Sequence, residues 1–295
     1  VSGDDWSAGT RTARSRGRRG LRVLLGVGVI GAAAALSGCS QETVGQLKRL
    51  GLPVAASDRA PSIHDLWIGS WIAAGAIGLF VWGLIIYCVV RFKRRHGGYV
   101  KQNRYNLPLE VLYTIAPFVV IGVLFYYTVL VQEHVQAKVA EPQHTIDVVG
   151  QKWSWTFNYR EANNPQVGND VWESGTIEKT PDLYLPVGQT VRFRLTSPDV
   201  IHSFWIPSFY EKMDVIPGRH NYFDVTPTRL GDYDGKCAEL CGTYHSAMLF
   251  KVHIVPVAEY NEKLKELAQA GQTGVNLGNT STTVLQPPTD TGGEG

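Results

Sequence analysis

Residues 236–248 read Lys236-Cys237-Ala238-Glu239-Leu240-Cys241-Gly242-Thr243-Tyr244-His245-Ser246-Ala247-Met248. Two thiols stand four positions apart, an imidazole follows four positions later, and a thioether three beyond that. These are soft or borderline donors, and together they favour copper over calcium or magnesium. A second imidazole must come from elsewhere. His202, in Asp199-Val200-Ile201-His202-Ser203-Phe204-Trp205, stands between two predicted strands. Three ordinary readings compete. Cys237 and Cys241 can form a disulfide in an oxidising compartment. They can bind zinc with His245. His245 and Met248 can also be plain residues of a β-domain. The complete set argues against the first two: a disulfide needs neither His245 nor Met248, and zinc seldom takes a thioether, while a single blue-copper site has one cysteine. The second thiolate points to two coppers sharing both sulfurs.

Around this loop, from about His144 to Val255, apolar residues alternate in short runs. Thr145–Val149, Trp153–Tyr159, Thr190–Thr196, Asn221–Val225 and Leu249–Val255 read as strands. Asn163-Asn164-Pro165, Pro186-Val187-Gly188, Pro217-Gly218 and Asp234-Gly235 read as turns. Many short strands at close spacing predict a β-sandwich or Greek-key barrel, placed at 140–258. Val257 to Ala270 predicts a terminal helix, and the last 25 residues, rich in Gly, Thr and Pro, predict disorder. The terminal helix and tail together span 259–295 in this division of the chain.

Upstream lie two apolar runs of 25 residues, 66–90 without a charge and 107–131 with only Glu110. Each can cross ~30 Å of hydrocarbon as a helix. They form a predicted transmembrane hairpin over 65–132. Arg91, Lys93, Arg94, Arg95, Lys101 and Arg104 lie between them with no acidic residue. The positive-inside bias puts that loop in the cytoplasm, and the N-terminus and β-domain outside the cell membrane. Glu110 either snorkels to water or relays protons. Cys88 lies in apolar surroundings and reads as an inert thiol.

The first 38 residues read as a signal segment: six arginines from Arg11 to Arg22, an apolar run 23–36, then Leu36-Ser37-Gly38-Cys39. The last four resemble a lipobox, which makes Cys39 the lipidated first residue of the mature chain and 39–64 an extracytoplasmic linker. The 295 residues allow two folding units, and the net charge is +2. The basic residues sit at membrane boundaries and not on one soluble face, which excludes a nucleic-acid footprint.

The pattern C-x-E-x-C-x-x-x-H-x-x-M, downstream of H-S-F, resembles the CuA loop of cytochrome c oxidase subunit II. The resemblance covers roughly residues 65–258 and implies a two-helix transmembrane hairpin plus an all-β cupredoxin-like Greek-key domain. It implies a dinuclear copper (CuA) centre with Cys237 and Cys241 bridging and His202 and His245 each on one copper. Met248 and the Glu239 carbonyl then act as weaker ligands. The Glu239 side chain would help bind magnesium at the subunit I interface. Trp153, in Gly150-Gln151-Lys152-Trp153-Ser154-Trp155, matches the family's electron-accepting tryptophan, while Trp155 and Phe157 read as core. Glu110, seven residues before Pro117, matches the glutamate at a proton-channel entrance. Residues 212–219 resemble the segment that lies against subunit I. Implied partners are subunits I and III, membrane lipid, and cytochrome c, soluble or membrane-tethered. The activity implied is cytochrome c oxidation coupled to oxygen reduction and proton pumping. One carboxylate common in the family is missing, because Pro198 precedes Asp199, and residues 160–175 match nothing familiar. Quinol oxidase subunit II shares the architecture and generally lacks the copper ligands. Nitrous oxide reductase carries a similar loop without two spans. A copper-carrying lipoprotein has little use for Trp153 or Glu110.

Overall fold

The computed structural model describes residues 41–93 and 102–278. The expected signal segment, Cys39, part of the basic loop and residues 279–295 lie outside the described residues. A short helix, α1 (Gln41–Lys48), stands in a unit of its own, 1–51. The second unit, 52–295, holds everything that follows.

Helices α2 (Ala60–Arg91) and α3 (Leu107–Gln136) extend past the predicted apolar runs at one or both ends. Pro61 sits in the first turn of α2, where its missing N–H costs nothing. Pro117 is accommodated inside α3. Ala60 is the single buried residue among the described side chains of the two helices. Both are long and apolar enough to cross a membrane, with mean hydropathy 2.3 and 2.2 over their most apolar windows. A helix apolar all round and unburied by its own chain needs lipid or a partner around it. Leu66 and Gly69 of α2 line one cleft with Val123 and Val131 of α3, so the two run antiparallel.

The rest is a sandwich of two five-stranded sheets. The first holds β3 (Val171–Ser174), β2 (Ser154–Tyr159), β1 (His144–Gln151), β5 (Val191–Thr196) and β8 (Asn221–Val225), in that spatial order. The second holds β4 (Asp182–Pro186), β10 (Leu249–Val255), β9 (Gly231–Cys237), β6 (His202–Ile206) and β7 (Glu211–Val215). Neighbours such as β1–β5, β4–β10 and β6–β9 are far apart in sequence, the crossing pattern of a Greek key. Between the sheets Trp155, Phe157, Phe193, Phe204 and Phe250 are buried, with Phe204 stacked on Phe250 at 4.9 Å between centroids. Helix α4 (Val257–Gln269) packs Tyr260 and Leu264 onto this core.

Several expectations are corrected. Asp234-Gly235 is no turn: Gly235 lies within β9 directly opposite Phe250, whose ring stands 2.1 Å from where a Cβ would be. Residues 52–59 are no free linker. Ala56 donates to the Ser208 carbonyl and accepts from Thr228, and Asp58 pairs with Thr226, so this segment docks on the β-domain. Trp153 precedes β2 instead of starting it. The chain beyond α4 stays attached through residue 276, since Trp172 donates to Gln272 and Asn276 exchanges two hydrogen bonds with Asn158.

The helices are tied to the sandwich just beyond α3, where the Val139 carbonyl accepts from Arg192 and the Val139 N–H donates to Asp224. Arg59 donates to the His134 and Ala137 carbonyls at the end of α3, and Arg192 grips Asp224 bidentately at 2.7 and 2.8 Å. A second buried cluster fastens α4: His144 Nδ1 lies 2.6 Å from Glu161, which also accepts from Tyr260 and Asn164. Burial opposes the charged imidazole, but the hydrogen bond and charge of Glu161 overcome it and raise the His144 pKa above 6.5.

Two outcomes follow from this packing. Gly235→Ala forces Phe250 from its place and should lower stability by about 1–3 kcal/mol, the usual cost of overpacking, read as a lower Tm of the detergent-purified chain. The His144 contribution is complete below pH 6.5 and is lost as pH rises through the raised folded value. Thermal stability should therefore fall across that window in the wild type, and His144→Gln should remove this part of the slope; an identical slope in the variant dismisses the His144–Glu161 pair as its source.

Candidate metal centre

β6 and β9 are antiparallel neighbours, with Phe204 opposite Cys237 and Trp205 opposite Lys236. That register brings His202, the first residue of β6, beside Cys237, the last of β9. His202 thus belongs to a strand, and not to the connection predicted for it. Two backbone bonds hold the loop mouth: Ala238 N–H donates to Ser203 at 2.9 Å and Cys237 N–H to Met248 at 3.0 Å. Beyond Cys241 the chain makes a short 3-10 turn, His245–Ala247, and Met248 returns it to β10. Gly242 takes φ +124° where the loop passes the Trp153 indole, and a Cβ there would lie 3.1 Å from Nε1. The position needs glycine on both counts.

The donor atoms converge. Cys237 Sγ lies 3.9 Å from Cys241 Sγ, 3.9 Å from His202 Nδ1 and 3.3 Å from the Glu239 carbonyl oxygen. Cys241 Sγ lies 3.6 Å from His245 Nδ1 and 3.8 Å from Met248 Sδ. His202, Cys237 and Cys241 offer donors all within 4.8 Å of one another. A disulfide requires about 2.05 Å, so the sulfurs are unbonded. Two thiolates 2.3 Å from one tetrahedral metal stand about 3.7 Å apart, close to what is seen. The donors fall into two sets that meet at the sulfur pair: His202 and the Glu239 carbonyl with Cys237, His245 and Met248 with Cys241.

Electrostatics favour a cation here. Burial disfavours the Cys237 thiolate, yet the adjoining His202 imidazole and the Glu239 and Ser203 backbone bring its pKa down to about 6. Burial and the Cys237 charge push Cys241 up to about 12. One thiolate forms readily and opposes the other, and a metal cation relieves that opposition. The chemistry of the donors, two thiolates, two imidazoles and a thioether, fits copper.

Trp153 is half-buried at the same end of the sandwich. Its indole N–H donates to the Cys241 carbonyl at 3.3 Å, and its ring meets Tyr244 edge-on at 5.0 Å. Glu239 is exposed, with one carboxylate oxygen accepting from Leu240 N–H at 3.2 Å. Glu110 stands apart in the first turn of α3, where its carboxylate accepts from Asn106 N–H at 2.9 Å while the Asn106 side chain accepts from Leu109 N–H. That is a reciprocal helix cap. Sequence reasoning missed the Tyr244 contact and the role of Asp199, which accepts from His202 Nε2 at 2.9 Å. A carboxylate three residues before a candidate ligand histidine was the available signal for the latter. Burial works against the Asp199 charge, but bonds from Lys152 N–H, His202 and Val200 N–H outweigh it and hold the carboxyl below its ordinary range.

A β-sandwich on two membrane-capable helices, with a His/Cys/Cys/Met group at one end, is the architecture of a membrane-attached soft-metal domain. The family model for the periplasmic domain of cytochrome C oxidase subunit II matches residues 144–255. A probable cytochrome c oxidase subunit 2 of Streptomyces avermitilis is 43% identical over 298 residues, covering 90% of this chain and 92% of that one. The cytochrome c oxidase subunit 2 of Mycobacterium tuberculosis is 34% identical, covering 84% and 82%. The crystal structure of the periplasmic domain of cytochrome oxidase subunit II from Bradyrhizobium japonicum overlaps 45% of this chain and 99% of that one, at 27% identity and a TM-score of 0.39. The chain belongs to the cytochrome c oxidase subunit 2 family.

In the metal-free, reduced chain, Cys237 and Cys241 should alkylate as separate thiols. Copper loading should protect both and leave Cys88 unchanged, as read by mass spectrometry of the labelled peptides. Equal labelling with and without copper refutes ligation through these sulfurs.

Proposed function

We propose that this chain is the electron-accepting subunit of a membrane-bound haem–copper oxidase. It takes electrons singly from a cytochrome c and passes them to subunit I, where oxygen is reduced and protons are pumped. The observation that carries this reading is the pair of donor sets joined at Cys237 and Cys241 beneath an accessible indole. Two coppers held there supply a centre that gains and loses one electron with little change in shape.

The protein's part is positional. Cys237, Cys241, His202 and His245 would hold the copper, with Met248 and the Glu239 carbonyl as the weaker ligands. The aromatic core behind His202 keeps water out and holds the ligand frame through a change of charge. Trp153, bonded to the carbonyl of a ligand cysteine, is the accepting ring for the donor. The exposed Glu239 carboxylate is assigned to a magnesium ion shared with subunit I. Glu110 is assigned to proton uptake, Cys39 to a lipid anchor, and subunit III to the same assembly. The complete ligand set weighs against a quinol oxidase.

The full chain, purified from copper-replete membranes, should hold two coppers and give the purple colour and delocalised spin-resonance signal of a mixed-valence pair; one copper per chain sinks the dinuclear reading. Trp153→Ala should slow reduction by cytochrome c roughly tenfold, equivalent to about 1.4 kcal/mol of barrier, with the copper signal intact. An unchanged rate takes Trp153 off the path. Glu110→Gln keeps the helix cap, since glutamine serves there too, while removing the ionisable proton. Slower turnover with normal copper reduction supports proton uptake, and normal turnover leaves Glu110 with capping alone.

A further inference from the structure

The two imidazoles of the centre are held unequally. His202 is completely buried, and both its ring nitrogens are engaged, Nδ1 towards Cys237 Sγ and Nε2 on Asp199 Oδ1 at 2.9 Å. His245 is half-buried, and among the described residues no hydrogen bond holds its Nε2. A carboxylate only accepts, so the His202 ring proton sits on Nε2 and the Nδ1 lone pair is left for metal. Asp199 is itself fixed, because Oδ1 also accepts from Val200 N–H at 2.6 Å, while the Ser197 hydroxyl proton goes to the Val200 carbonyl at 2.6 Å.

The second oxygen of the same carboxylate has another task. Oδ2 accepts the backbone N–H of Lys152 at 2.7 Å. Lys152 immediately precedes Trp153, whose indole is fastened to the Cys241 carbonyl. The turn carrying the indole is therefore tied to the centre twice. One tie runs through Cys241. The other runs through Asp199 to His202, so a single carboxylate bridges a metal ligand and the backbone of the electron-accepting turn.

We infer that Asp199 is a positioning residue for electron transfer, which sets the His202 tautomer and pins the Lys152–Trp153 turn to that ligand. The inference rests on the two-copper reading above. A carboxylate on the far nitrogen makes an imidazole a stronger donor and favours the more oxidised metal. Removing it weakens copper binding and makes the centre easier to reduce, and it also loosens the turn that faces the donor. A loop-stabilising role alone would alter none of the centre's electronic properties.

The test uses the full chain in its oxidase, with Asp199→Asn, Asp199→Ser and Ser197→Ala. Asparagine is isosteric but presents one acceptor oxygen, so it cannot serve His202 and Lys152 through both ends. In both Asp199 variants the midpoint potential should rise by about 59 mV, a tenfold change in a one-electron equilibrium. Copper affinity should fall by about 10-fold or more, the nitrogen hyperfine coupling of one histidine should change, and reduction by cytochrome c should slow. Ser197→Ala loosens the same loop while leaving both Asp199 contacts, and should keep the wild-type potential and couplings. Unchanged potential and couplings in Asp199→Asn overturn the inference, and so does an equal shift in Ser197→Ala. Asp199→Ser decides in the same way if the asparagine variant does not assemble. A wild type lacking the mixed-valence signal overturns the two-copper reading instead, and is told apart by needing no variant.

Discussion

The pairing of Phe204 with Cys237 across β6 and β9 is the contact on which the centre depends. It sets His202 and Cys237 side by side, and it does so against the aromatic part of the core. Phe204 stacks on Phe250, Trp155 meets both rings edge-on, and Trp155 also lies against the His202 imidazole at 6.2 Å. A slip of one residue along β6 would send Phe204 to the surface and turn His202 away from the sulfurs. The aromatic stack thus fixes register, and register fixes the first ligand pair. Gly235 belongs to the same device, because Phe250 can lie flat over β9 only where no Cβ intervenes.

The loop from Ala238 to Met248 has no such stack behind it, and it is held by polar contacts, by the Trp153–Tyr244 edge contact and by the buried Cys241 and Met248. Cys237 N–H on Met248 closes the loop at its base, and the Trp153 indole holds Cys241 from the side. Without metal the two thiols oppose each other's ionisation, for each is partly removed from water and they stand 3.9 Å apart. Cations convert that repulsion into cohesion. A bound cation would therefore add to the order of this half, whereas the His202 half is formed by the fold. The half-buried His245 lies in the loop half and the buried His202 in the preformed one.

This division explains how much of the protein was legible in its sequence. Cys237, Cys241, His245 and Met248 fall within one short stretch, so their chemistry could be read without any fold. The two membrane-capable helices were equally plain, because apolar length is a local property. β4, β7 and β9 were not. Asp-Leu-Tyr-Leu-Pro ends in proline, Glu-Lys-Met-Asp-Val carries three charges, and β9 contains an Asp-Gly pair that signals a turn in isolation. Only a ring from another strand makes that glycine a strand residue. The docking of 52–59 and of the segment after α4 was hidden for a related reason. Both are irregular stretches without a helix or strand period, held by hydrogen bonds to residues about a hundred or more positions away. Asp199 was visible as a carboxylate near a ligand, but its reach to Lys152 exists only when β1 and β5 lie side by side.

That parallel pair also bears on how the centre meets the membrane. β1 carries the chain from His144, just beyond the Arg59 and Arg192 anchors, to Gln151 at the Trp153 turn. Eight residues of strand span about 26 Å, so the metal centre and the helix attachment lie at opposite ends of β1. The attachment is stiff: Asp224 takes both Arg192 and the Val139 N–H, and residues 52–59 add a second strap from the other helix. A sandwich so tethered is held against free swinging about the helix ends. The length of β1 then sets how far the candidate centre stands from the helix ends, and the bonds at Val139 fix the end from which that distance is counted.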